Sequence, residues 1–105
     1  MRCWRLPVLL LMMPATLPAQ DLDPGRTLAA TCANCHGTDG RARAGLPVLA
    51  GRPQRELQAL LAEYKAGTRA GTVMPQILRG YSDEQLQQIA RYLAAQPAVA
   101  AGGRR

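Results

Sequence analysis

Cys32-Ala33-Asn34-Cys35-His36-Gly37 carries the densest chemistry of this 105-residue chain and decides how the rest is read. Residues three and four apart share a helical face, so Cys32, Cys35 and His36 can point the same way. The residues just upstream support a helix there. Asp23-Pro24 reads as an N-cap followed by proline in the first helical position, and Leu28 to Cys32 continue a helix expected to end near Ala33.

A C-x-x-C-H run is the spacing of c-type haem attachment: two thiols reach the two vinyl groups of one haem, and the next residue delivers an imidazole to the iron. Three rival readings fit less well. A thioredoxin-like C-x-x-C wants a preceding strand, whereas the residues before Cys32 read as helix. A structural zinc site wants four ligands, more than two Cys and one His supply. A plain disulfide stays open, but closing so short a loop stabilises little.

Export bears on the same choice. Residues 1–20, MRCWRLPVLLLMMPATLPAQ, have two early arginines, an apolar run through Leu6–Met13 and small residues at Ala15 and Ala19. That is the layout of a secretory signal peptide, expected to span residues 1–19, and the apolar run is far short of the roughly 20 residues that cross a bilayer. Residues 20–105 are then the working domain, with no membrane span expected after cleavage and a small, basic tail over residues 98–105. An exported chain meets an oxidising compartment, and covalent haem attachment takes place outside the cytoplasm.

Removing residues 1–19 changes the composition more than the length. The formal charge falls from +6 to +4 because Arg2 and Arg5 leave; of three Cys, Cys32 and Cys35 remain, and of four Met only Met74. With no Phe and only Tyr64, Tyr81 and Tyr92 as aromatics, the remainder has too few large side chains to build a comfortable core alone. This excludes a multidomain enzyme and points to a missing core component. Two further helices are expected. One is Arg52–Ala66, with Leu57, Leu60, Leu61 and Tyr64 in one stripe and Gly67 as the stop. The other follows the capping box Ser82-Asp83-Glu84-Gln85, with Leu86, Ile89, Ala90 and Leu93 as its stripe and Pro97 beyond it. No stretch alternates long enough to read as a strand, so the fold class is all-α. The segments 37–51 and 68–81 read as long loops, a length that suggests binding.

A haem iron held by one histidine either keeps its sixth position open or fills it with a second protein ligand, commonly Met in electron-transfer cytochromes. His36 is the chain's one histidine, so a second His ligand is unavailable. Met74 lies in a Thr-Val-Met-Pro loop rather than on an apolar stripe, which makes it the candidate sixth ligand, and the metal ligands are expected to be His36 and Met74. A small haem enzyme or gas-binding protein with a displaceable Met74 is the alternative, but it needs distal acid–base groups, and the one histidine is already spent on the proximal side.

These residues resemble a class I cytochrome c over nearly the whole segment after the leader: a helix running into Cys32–Gly37, then Leu46-Pro47-Val48-Leu49-Ala50-Gly51, a Met loop and a last helix carrying Tyr92. The resemblance implies one covalent haem c, through Cys32 and Cys35, in a fold of helices and loops wrapped around it. It implies a hydrogen bond from the proximal His36 ring to the backbone carbonyl of Pro47, and a crossing of first and last helices with Gly25 as the small residue and Leu28 against Tyr92 and Leu93. Two segments, Leu49–Arg69 and Thr72–Glu84, are similar to small bacterial cytochromes that include the haem subunit of flavocytochrome c sulfide dehydrogenase. The function implied is one-electron relay between periplasmic redox proteins, a flavoprotein subunit among the candidate partners, rather than catalysis. Arg41, Arg43, Arg52, Arg55, Lys65 and Arg69 are candidates to ring the haem edge and steer acidic partners, the alternative being an ordinary solvated surface. Nucleic acid is not an expected partner, because the positive residues are dispersed and no stacking cluster accompanies them.

Overall fold

Helix α1, Pro24–His36, starts where Asp23 Oδ1 accepts a hydrogen bond from Gly25 N at 2.9 Å, with Pro24 opening the first turn. The computed structural model to which it belongs describes residues 22–43 and 45–99. The expected leader and most of the expected tail lie outside them. α1 runs past its expected end near Ala33. The residues 33–36 include weak helix formers, but none breaks a helix, and the stop comes at Gly37, whose φ of +82° an L side chain rarely adopts. The whole C-x-x-C-H run is therefore helical.

A single 3₁₀ turn, Thr38–Gly40, follows, and Gly40 O then accepts from both Leu49 N and Ala50 N. Helix α2, Gln54–Ala66, has Pro53 as its N-cap and closes on Gly67 in the left-handed region. Inside the expected loop 68–81 lies a short helix, α3, Met74–Leu78, with Pro75 in its first turn. Helix α4, Asp83–Ala94, begins with both halves of the capping box in place, Gln85 N to Ser82 Oγ at 3.1 Å and Ser82 N to Gln85 Oε1 at 2.9 Å. Among the described residues there is no strand, and no helix is long and apolar enough to cross a membrane.

Helix α4 is the hub, packing against both α1 and α2, while α3 packs against α2. Its entire apolar stripe, Leu86, Ile89, Ala90 and Leu93, is buried together with Ala29, Leu57, Leu61 and Leu78, and Leu28 packs against this cluster. The α2 stripe divides: Leu57 and Leu61 enter the core, whereas Leu60 and Tyr64 are only partly covered. Gly25 sits at the α1–α4 crossing. A Cβ there would run into the Gln88 carbonyl oxygen and stand 2.9 Å from Tyr92 Cβ, so only a hydrogen allows the two backbones to meet. A second tie joins α4 to the 3₁₀ turn just beyond α1, because the Tyr92 hydroxyl donates to Asp39 Oδ1 there.

Two outcomes test this packing. Gly25→Ala forces α1 off α4 and should cost about 1–3 kcal/mol, the range for overpacked sites, measured by denaturant unfolding. The bond to the Asp39 carboxylate, then burial, holds the Tyr92 hydroxyl above its usual range. A raised folded value means that its stabilising effect is whole below the unfolded tyrosine value of about 10 and lost as pH rises through the higher folded one. Tyr92→Phe should therefore cost about 1 kcal/mol at pH 7, and the gap to the unaltered protein should close above pH ~10 in urea titrations at stepped pH.

Candidate functional site

The continuous helix α1 delivers Cys32, Cys35 and His36 within its last two turns. His36 is buried, at 9 % exposure, and its Nδ1 lies 3.1 Å from the Pro47 carbonyl oxygen, which can only accept. The ring proton is thus on Nδ1, and the lone pair of the neutral ring is on Nε2. Pro47 itself is exposed and serves through its backbone. The loop that carries it is tied back to α1 by Ala42 N to His36 O at 2.8 Å and by Arg43 Nη1 to Asn34 O at 3.0 Å.

Cys32, His36, Pro47 and Met74 all line one cavity of about 590 Å³, walled mainly by Leu46, Leu49, Leu57, Leu60, Leu61 and Leu93. Cys35 is exposed and outside that lining, one residue before His36 on the same helix. Burial pushes the Cys32 thiol up, the proximity of Cys35 adding to the rise, while a backbone hydrogen bond opposes it. The two cysteines are not joined to each other in a disulfide. Among the described residues no three His, Cys, Asp or Glu side chains converge on a point that would hold a bare metal ion.

The cations do not form the ring considered from sequence. Of the six, only Arg52 and Arg69 line the cavity, and each is already paired there with a carboxylate of α2: Arg52 with Glu56, and Arg69 with Glu63 at 2.9 Å. Lys65 bonds Asp83 at 2.8 Å, joining the end of α2 to the start of α4. These pairings neutralise the positive charge locally. Sequence reasoning also missed α3 and its anchor Leu78, 1 % exposed; proline right after Met74 was the available signal, since proline favours the first helical turn.

The residues present fit a haem. An apolar cavity of this size lies in the ~300–1,000 Å³ range of cofactor sites, and it gathers a thiol, an imidazole and a thioether among aliphatic walls. Comparison with known proteins agrees, since the model of the family described as cytochrome c oxidase, cbb3-type, subunit III, matches residues 19–93. The chain belongs to the cytochrome c family. This cytochrome is 35 % identical over 79 residues to the cytochrome subunit of sulfide dehydrogenase of Chlorobaculum tepidum, covering 75 % of this chain and 71 % of the relative. It is 35 % identical to cytochrome c-554(548) of Halomonas halodenitrificans over 74 % of this chain and 99 % of that one. The solved structure of Acidithiobacillus ferrooxidans cytochrome c4 is similar at a TM-score of 0.58 and 34 % identity, over 61 % of this chain and 38 % of that one. The cytochrome thus spans well under half of its cytochrome c4 neighbour and about seven-tenths of the sulfide dehydrogenase subunit. Its cofactor is a covalently attached haem c, Cys32 and Cys35 have the spacing this attachment uses, and its work is electron transfer.

Proposed function

We propose that this cytochrome is exported, loses residues 1–19, and relays single electrons in the periplasm through a haem that His36 and Met74 would ligate. The observation that carries the reading is that Cys32 and His36 of α1 and Met74 of α3 line the same apolar cavity. When bound, the haem supplies a one-electron ferric/ferrous couple.

The chain's own groups shape that couple. Thioethers at Cys32 and Cys35 would fasten the group to α1. The bond from His36 Nδ1 to Pro47 O fixes the ring and raises the basicity of Nε2. The Met74 thioether would be a neutral ligand in both oxidation states, and the leucine walls make the surroundings largely apolar; both would favour the reduced form and a raised potential. With the only histidine on the proximal side, no distal histidine is at hand for peroxide or oxygen chemistry. The partners are redox proteins, met either by a diffusing carrier or by a haem-bearing electron-acceptor subunit. The relatives include one named cytochrome subunit of sulfide dehydrogenase and one named thiosulfate dehydrogenase electron acceptor, and a flavoprotein is a candidate donor on that analogy.

Met74→Ala should abolish the sulfur-to-iron charge-transfer band, open the ferrous protein to carbon monoxide and lower the midpoint potential by on the order of 100 mV. The unaltered ferrous protein should leave carbon monoxide unbound; ready binding would sink the relay reading. The haem also completes the core, so a chain with Cys32→Ala and Cys35→Ala, unable to attach it, should lose most of its helical circular dichroism and its cooperative melt.

A further inference from the structure

The segment between α2 and Met74 is fastened by side chains that have no part in the ligation proposed above. After Gly67 the chain doubles back along α2, with Thr68 N and Arg69 N donating to Glu63 O at 3.0 and 3.3 Å and Thr68 Oγ1 to the same oxygen at 3.2 Å. The Arg69 side chain then closes the turn. Its Nε bonds Glu63 Oε2 at 2.9 Å, and its guanidinium carbon stands 5.6 Å from the centre of the Tyr64 ring, within cation–π range. Gly71 lies against that ring as well, since a Cβ built on it would be 3.0 Å from Tyr64 Cε1 and 3.3 Å from Pro75 Cδ.

Beyond Arg69 the backbone has little of its own to hold it. None of the residues 70–73 donates a backbone hydrogen bond to another described residue. Met74 is the first residue of a five-residue helix, far shorter than a helix that persists unaided. Glu63, Tyr64, Arg69 and Met74 nevertheless all border the one cavity.

We propose that Glu63, Tyr64 and Arg69 form a clasp that positions Met74: Arg69, paired with Glu63 and laid over Tyr64, holds the loop 67–73 so that the thioether faces the cavity. These are positioning residues, and the inference rests on Met74 being the axial ligand. The clasp works by raising the effective concentration of the sulfur at the iron, so its loss is read as easier replacement of Met74 by an added ligand.

The test is the affinity of the oxidised holoprotein for imidazole, followed by loss of the sulfur-to-iron charge-transfer band. Arg69→Ala should raise that affinity about fivefold, the scale of one exposed ion pair with its cation–π contact, at unchanged helical circular dichroism. In a Met74→Ala background the same change should move the affinity less than twofold, because no sulfur remains to be positioned. An effect of Arg69→Ala that persists without Met74 would make Arg69 a shield of the cavity and overturn the proposal. So would an unchanged affinity when Met74→Ala alone raises it. If Met74→Ala leaves both band and affinity untouched, the ligand assignment itself fails, and the clasp with it.

Discussion

The closeness of α1 and α4 at Gly25 governs the geometry of everything downstream. With no side chain at that position, the backbone of α1 rests directly on the Gln88 carbonyl and on Tyr92. Because α1 is unbroken from Pro24 to His36, pinning one end sets the other, about 16 Å along the axis at 1.5 Å per residue. The Tyr92–Asp39 bond then fixes the turn just past His36. The imidazole is placed from both sides, by a helix that cannot slide and a loop whose Pro47 carbonyl holds the ring.

The thin composition follows from the same arrangement. Folded proteins fill their interiors to crystal-like density, yet here all four residues of the α2 stripe border a cavity, Leu57 and Leu61 from the core side. Leu60 and Tyr64 have the spacing of core residues and the exposure of wall residues. A chain without Phe reaches a stable interior by lining a space for a large apolar group and leaving that group to supply the bulk.

Much of this was legible in the residues. The three long helices announced themselves through caps and stripes that obey short-range rules, and the C-x-x-C-H run named the cofactor because its spacing is set by covalent chemistry. What escaped was decided by tertiary contacts. Leu78 belongs to no periodic stripe, so its burial could not be read from the sequence, and α3 exists because that leucine has a pocket to fill. Arg69 looked like free surface charge, since nothing in a linear sequence shows that it will fold back onto Glu63, whereas the four-residue spacing of Arg52 and Glu56 was there to be read. The first helix ran three residues beyond its expected end because a glycine able to adopt a positive φ, rather than a weak helix former, terminates it.

Met74 and Leu78 stand four residues apart on α3, hence on one face, so a single turn of helix joins the cavity to the core. Its hold on the protein is one buried leucine, one buried proline and the contacts of a loop, whereas α1 and α4 share a long interface. In terms of native-state hydrogen exchange, α3 should open at a smaller free energy than the other helices, and the α1–α4 pair should open only with the whole molecule. The two sides of the cavity thus differ in kind. One should be as durable as the fold, and the other should open without it.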